Sequence, residues 1–254
     1  MSITTCSDRK PQFPEKDLTL VETMDQRLAV VAAELEQQDY WKIFSGRTTS
    51  SQLVFRMMQQ LMLNIWKYQQ CVNESVFTAV GRHGRYVDEQ PLIRAMLAVQ
   101  IEEVGHGTVA LDDYVKLGGS REHAMHCLPS PASLVVMATV RYLGERADPL
   151  CHLGYMYFFE RFTTIVTEKA LPILARHQYP EDQLAFVKLH AEEDIRHSDM
   201  LANVVAECED RYPSARESIL FGFDCFRQVY PHPVWKAVCL DAQEKEHGTS
   251  GRVQ

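Results

Sequence analysis

The stretch that decides the fold is His190-Ala-Glu-Glu-Asp-Ile-Arg-His197. A helix turns by about 100° per residue, so His190, Asp194 and His197 fall within about 60° of one another on one face. Burying three ionisable groups without partners would cost on the order of several kcal/mol. Two imidazoles and a carboxylate that converge are ligands typical of a first-row transition metal. The segment therefore predicts a metal-binding helix.

The alternative is a helix end that carries solvated charges, with Glu192 and Glu193 facing water. Apolar residues argue against it, because they continue the same face from Phe186 before the segment to Leu201 after it. A polar triplet inside an apolar stripe points into the core of the protein. The metal interpretation is therefore favoured.

A second helix shows the same anomaly. Glu102, Glu103 and His106 interrupt an apolar stripe, and Glu103-x-x-His106 has a spacing used by di-iron carboxylate proteins. Asp113 lies on the same face two turns later. Glu160, in turn, follows Leu153, Met156 and Tyr157 on the face of a further helix. An internal salt bridge to Arg161 is the alternative there, but Arg161 points about 100° away from Glu160.

Three predicted helices thus supply three carboxylates and three imidazoles as metal ligands: Glu103, His106, Glu160, His190, Asp194 and His197. Six protein ligands are more than one ion needs, whereas two ions that share a bridging carboxylate can bind all six. Carboxylates with imidazoles and no thiolate suit iron or manganese better than a structural zinc site.

Almost the whole chain of 254 residues has helical periodicity, which predicts one all-α domain of about seven helices over residues 19–240. Residues 1–18 are expected to form a flexible leader and residues 241–254 a flexible tail. The predicted helices, followed by a short segment near Trp235, are Glu22–Gln38, Ser50 or Ser51 to Val80, Pro91–Leu117, Pro131–Gly144, Pro149–Thr167 with Pro172 bending or ending it, Pro180–Cys208 and Ser214–Tyr230.

Composition excludes several classes of function. The net charge of −8 argues against a nucleic-acid partner, and the longest strongly apolar run, Leu134–Val140, is too short to cross a membrane. The N-terminus has no hydrophobic stretch of a signal peptide. Seven scattered cysteines without a CxxC pair suit reduced thiols. A cytoplasmic location is expected.

Three motifs together resemble the haem-oxygenase-like di-iron oxidases and oxygenases: His190-x-x-x-Asp194-x-x-His197, the Gly154-Tyr segment that ends at Glu160, and Glu102-Glu103-x-Gly105 with His106. The resemblance spans roughly residues 52–206. It implies a seven-helix bundle without haem that binds two Fe(II) ions and uses O₂ as co-substrate. It also implies that Glu160 bridges the two ions.

The first ligand helix departs from the common pattern of this family. Many members carry the histidine seven to ten residues after the glutamate, whereas His106 follows Glu103 by three residues, as in the fatty-acid decarboxylases that make terminal alkenes. Glu102 and Glu103 both remain candidate ligands, and the part of Asp113 stays open.

The resemblance implies oxidative C–C cleavage, desaturation or N-oxygenation of a small carboxylate-bearing substrate in natural-product biosynthesis. It favours an amino acid over a fatty acid, and it leaves room for an external electron donor and a homodimer. One alternative is a ferritin-like or rubrerythrin-like iron protein, in which Glu74 would supply a further acid. Another is a metal-free, thiaminase-like relative of the same bundle.

Overall fold

Helices make up most of the described residues, 18–82 and 90–250 of the computed structural model, and no β-strand occurs among them. Their bounds are α1 Leu20–Gln37, α2 Asp39–Ser45, α3 Ser51–Arg82, α4 Gln90–Glu103, α5 His106–Lys116, α6 Arg121–His126, α7 Pro131–Glu145, α8 Pro149–Arg176, α9 Ala185–Arg211, α10 Ala215–Val229 and α11 His232–Ser250, with a 3₁₀ turn at Glu181–Gln183. The prediction of an all-α domain is confirmed. Within the described ranges, no helix has the length and apolar character needed to span a membrane.

The predicted starts of α7 and α8 are confirmed, and their capping explains them. The side chain of Ser130 accepts a hydrogen bond from the Ser133 N–H, and that of Asp148 accepts one from the Leu150 N–H. Pro131 and Pro149 follow these caps at the first helical position, where a missing N–H costs nothing.

The long helices α3, α8 and α9 form the centre of the bundle. Helix α8 packs against α9 and α10, and α3 packs against α5 and α7. Their apolar stripes form one continuous core, in which the aromatic rings of Tyr68, Phe158 and Phe223 are fully buried. The metal-ligand candidates of α8 and α9 therefore face one another from adjacent core helices.

The prediction of one continuous helix over Pro91–Leu117 is wrong. Helix α4 ends at Glu103 and α5 begins at His106, with Gly105 between them at a φ of 106°. This left-handed conformation is open to glycine at little cost and strained for other residues. The break separates Glu103 and His106 into two helices, so their relative position is set by packing and not by helical spacing.

Three other boundaries differ from the prediction. Helix α8 continues past Pro172 to Arg176, because its buried residues on both sides outweigh the one hydrogen bond that proline removes. Helix α9 begins at Ala185, after the 3₁₀ turn. Helix α11 continues to Ser250, so the predicted domain boundary at residue 240 falls inside it. The predicted leader, residues 1–18, lies outside the described residues except for Leu18.

Helices α8 and α10 approach each other through two glycines. A Cβ atom on Gly154 would lie 1.9 Å from the carbonyl oxygen of Ile219, and one on Gly222 would lie 1.8 Å from that of Cys151. Side chains on both helices would hold them further apart. This contact sets the position of α8, which carries Glu160.

Asp113 caps helix α9 and does not belong to the candidate metal centre. Its fully buried carboxylate accepts a hydrogen bond from the Phe186 N–H at 2.8 Å, near a helix N-terminus that has no side-chain cap of its own. The Nζ atom of Lys116 lies 3.6 Å from the other carboxylate oxygen. Asp113 therefore binds the backbone of α9 through one oxygen and belongs to neither buried donor group of the described residues.

We expect Asp113→Ala to lower the free energy of unfolding by about 1–3 kcal/mol, since it leaves the Phe186 N–H buried without an acceptor. Urea denaturation measures this loss. Asp112→Ala is the matched control and should cost at most about 1 kcal/mol, because Asp112 forms only an exposed ion pair with Arg121. Loss of bound metal from folded Asp113→Asn would instead return Asp113 to the list of ligands.

Candidate metal centre

Four helices bring the six predicted ligands into one buried cluster. Helix α4 contributes Glu103, α5 contributes His106, α8 contributes Glu160, and α9 contributes His190, Asp194 and His197. None of the six is more than 6% exposed. Their donor atoms fall into two groups, and within each group the atoms lie within 4.8 Å of one another.

The first group consists of Glu103, His106 and His190. One carboxylate oxygen of Glu103 lies 3.0 Å from His106 Nδ1 and 3.9 Å from His190 Nε2. The other ring nitrogen of His190, Nδ1, lies 2.8 Å from the Phe186 carbonyl oxygen. A carbonyl at this distance takes the ring N–H, which leaves Nε2 with a lone pair directed at the cluster.

The second group consists of Glu103, Glu160, Asp194 and His197. The Nδ1 atom of His197 lies 3.3 Å from a Glu160 oxygen and 3.7 Å from the Oε1 atom of Glu103. Glu103 is therefore common to both groups, with one oxygen facing the histidines of the first group and the other facing His197.

Several donor atoms of the cluster are buried and have no hydrogen-bond partner. They include Glu103 Oε1 and both carboxylate oxygens of Asp194. Leaving such atoms unpaired in a protein interior costs on the order of 1–3 kcal/mol each. These are carboxylate oxygen atoms, donors that iron and related ions take. The residues present therefore fit a metal ion.

Burial changes the protonation of the cluster when no cation is bound. It raises the pKa of Asp194 far above its ordinary range, with the charges of Glu160 and Glu103 adding to the effect. Burial also raises the pKa of Glu160. For His197, burial lowers the pKa, but the adjacent carboxylates of Glu160 and Glu102 outweigh it and raise the pKa to about 9. The cluster without metal thus retains protons that a bound cation would displace.

Helix α3 supplies an amide that holds the shared carboxylate. The Nε2 atom of Gln69 donates to Glu103 Oε2 at 3.1 Å, and the carbonyl oxygen of the nearby Asn73 side chain accepts from Gln100 at 2.9 Å. Gln69 and Gln100 are each 2% exposed. Sequence analysis missed them, although two amides on apolar helix faces are a recognisable signal of a buried polar network.

The two less certain candidates, Glu102 and Glu74, lie outside the two buried donor groups. Glu102 lies at the edge of the centre with its side chain 38% exposed, where it pairs with Arg196 and lies 2.9 Å from His197 Nε2. Glu74 is exposed on α3 and accepts a hydrogen bond from Gln70. The structure therefore places Glu74 at the surface and outside the two buried donor groups.

A cavity of about 60 Å³ adjoins the cluster at His190. Apart from His190, the described residues of its wall carry no ionisable acid or base near neutral pH, and they include Leu61, Ile65, Phe159, Thr163 and Trp235. It is smaller than the roughly 150 Å³ apolar cavity that holds benzene in another protein, so it accommodates a short alkyl segment.

Comparison with solved structures shows the fold of this arrangement. The chain is similar to a domain of unknown function with a heme oxygenase-like fold from Shewanella denitrificans OS217, with a TM-score of 0.70, 17% identity, and 94% of this chain and 98% of that chain covered. It is also similar to a TenA family transcription regulator from Silicibacter sp. TM1040, with a TM-score of 0.64, 10% identity and coverage of 89% and 99%. A third similar structure is a TenA homologue from P. horikoshii OT3, with a TM-score of 0.55 and 13% identity. The alignment covers 87% of this chain and 99% of that chain.

No curated protein matches the sequence. Residues 72–230, however, match a family described as iron-containing redox enzymes. The matched residues run from α3 to the end of α10 and contain all six buried ligand candidates. The predicted haem-oxygenase-like fold is confirmed, and the chain belongs to the family of iron-containing redox enzymes.

Proposed function

We propose that this protein is an O₂-dependent oxidoreductase with a non-haem di-iron centre. The observation that carries the proposal is the position of Glu103 between two donor groups, each of which has its own histidine. A single ion cannot use donors on both sides of one carboxylate, whereas two ions bridged by it can. Family membership supports iron as the metal.

In this proposal, His106 and His190 hold one ion, and Glu160, Asp194 and His197 hold the other. Glu103, which belongs to both donor groups, would contribute to both ions, a part that the resemblance gave to Glu160. A ferrous pair supplies electrons for the reduction of O₂ and a Lewis acid beside the substrate. The protein holds the donors in place through the Phe186 carbonyl behind His190 and the Gln69 amide behind Glu103.

The cavity beside His190 is the proposed place of the substrate. Of the residues in the described part of the chain, no lysine, arginine, aspartate or glutamate lines it. A polar amino-acid side chain would lose its hydration there without gaining partners, whereas an alkyl segment would not. We therefore place the substrate among fatty-acid-like carboxylates, in preference to the amino acids that the resemblance favoured.

The metal-free, thiaminase-like alternative shares the fold but leaves the buried donors unexplained. It would keep Asp194 and Glu103 in the interior with unpaired oxygen atoms at a cost in stability. The ferritin-like alternative is disfavoured by the similarity to a haem-oxygenase-like domain over 94% of this chain.

The test is anaerobic loading with Fe(II), an iron count, and rapid mixing with O₂. We expect about two ferrous ions per chain, and O₂ consumption that a short-chain fatty acid accelerates more than amino acids of similar mass. Acceleration by amino acids alone would overturn the substrate class but not the centre. Protein that binds no ferrous ion under oxygen-free conditions would overturn the proposed function itself.

A further inference from the structure

A second and larger cavity, the α3–α11 cavity, lies on the face of α3 that turns away from the cavity at His190. Its volume is about 780 Å³, and none of the six buried ligand candidates lines it. Small-molecule sites typically have volumes of about 300–1,000 Å³. Around the axis of α3 its residues fall within about 100° of one another, and about 150° from those that line the cavity at His190. The α3 residues of this cavity are Arg56, Gln60, Leu63, Asn64 and Lys67.

Arg56 carries a buried donor without a partner at this cavity. The residue is half-buried, and its Nη1 atom is buried with no hydrogen-bond partner in the described part of the chain. Asp241 and Glu244 of α11 line the same cavity, yet among the described residues neither forms an ion pair with Arg56. A charged group that is desolvated without a partner is more costly than a neutral one. An oxygen atom of a bound molecule would remove this cost.

The polar neighbours of Arg56 on α3 are held by the protein. The buried Asn64 side chain donates to the Gln60 carbonyl oxygen at 2.8 Å and accepts from Ser130 Oγ at 2.6 Å. The Nζ atom of Lys67 donates to the Cys127 carbonyl oxygen at 2.5 Å, which joins α3 to the end of α6. Asn64 and Lys67 thus have protein partners at the wall of the cavity, which the Nη1 atom of Arg56 lacks.

The charges around the cavity indicate the class of ligand. Helix α3 contributes the cations of Arg56 and Lys67, and α11 contributes the carboxylates of Asp241 and Glu244. A multiply charged anion such as phosphate would be attracted by the first pair and repelled by the second, whereas a zwitterion meets opposite charge on both helices. Leu128, which also lines the cavity and is 88% exposed, offers an apolar contact for a side chain.

We infer that the α3–α11 cavity binds a free amino acid. Its carboxylate would accept hydrogen bonds from Arg56, whose planar guanidinium matches the geometry of a carboxylate. Its ammonium group would lie toward Glu244 on α11. The site is separate from the proposed di-iron centre, and the inference does not rest on the proposed function.

The test screens the common protein amino acids for a rise in Tm of the full chain, and measures by calorimetric titration the affinity of each one that raises it. We expect at least one to bind, and Arg56→Gln to weaken it at least about tenfold, because a hydrogen bond to a charged group contributes at least this much. Arg94→Gln is the matched control and should bind as the wild type does, because Arg94 is exposed on α4. Inorganic phosphate and the deaminated form of the same acid should bind at least about tenfold more weakly than the amino acid.

A second measurement separates ligand binding from a structural role of Arg56. Without ligand, Arg56→Gln should be as stable as the wild type or more stable, since it removes a partly buried charge without breaking an ion pair. A clear loss of stability in urea denaturation would show that Arg56 serves the fold, and would overturn the inference.

The titrations can overturn the inference in three further ways. One is that no amino acid binds, and another is that Arg56→Gln binds it as tightly as the wild type does. The third is that His190→Ala abolishes binding, which would place the amino acid at the metal centre. Equal affinity for the deaminated acid would overturn the zwitterion and leave a site for a carboxylate.

Discussion

Glu103→Ala is expected to remove both metal ions from the protein. The wild type should retain about two ferrous ions per chain after anaerobic loading and desalting, and the variant should retain almost none. The reason is that Glu103 is the one residue common to both buried donor groups, so its loss opens each coordination shell at once. The measurement is a colorimetric iron count on protein whose fold has been checked by circular dichroism.

Three further variants make this prediction specific. His190→Ala should lose the ion of the first group alone, and His197→Ala that of the second. Glu102→Gln is the matched control on the neighbouring residue and should retain both ions, because its carboxylate is half-exposed and paired with Arg196. A Glu103→Ala protein that keeps one tightly bound ion would show that the carboxylate does not bridge.

Gly154→Ala is expected to lower the free energy of unfolding by more than about 3 kcal/mol and Tm by roughly 6–12 °C. The added Cβ would sit 1.9 Å from the Ile219 carbonyl oxygen and 2.8 Å from the Phe223 nitrogen. Both are backbone atoms of α10, so no side-chain rotation relieves the contact and the two helices must separate. Thermal and urea denaturation measure the loss.

Gly81→Ala is the control for the glycine substitution, because no atom lies within 4 Å of the Cβ that it would add. It lies in helix α3, where alanine is the better helix former, so stability should stay unchanged or rise by up to about 1 kcal/mol. Equal losses in the two variants would contradict the steric explanation.

Helical periodicity alone predicted that Glu160, His190, Asp194 and His197 are buried, because α8 and α9 are regular helices. On such a helix the angular position of a residue follows from its number, and the apolar neighbours of Glu160 and His190 showed which face is buried. The same periodicity wrongly predicted one continuous helix through Gly105. A glycine inside a helical pattern is usually tolerated, and only its positive φ shows that two helices meet there.

Long-range packing accounts for what periodicity could not provide. The position of Glu103 between the two groups depends on where α4 ends against α9, and the role of Asp113 depends on where α9 begins against α5. Glu193 lies at the margin of a helix face, where a few degrees of rotation decide between water and the interior. The burial of residues at such positions follows from tertiary packing and cannot be predicted from helical periodicity.

Both backbone polar groups of Phe186 have partners, and this lowers the entropy that metal binding must cost. Its N–H is bound by Asp113, two turns beyond His106 on α5, and its carbonyl oxygen lies against His190 Nδ1 on α9. The His190 ring is thus oriented by a backbone segment that Asp113 anchors before any ion arrives, so little rotational freedom of this ring is left to be lost on metal binding.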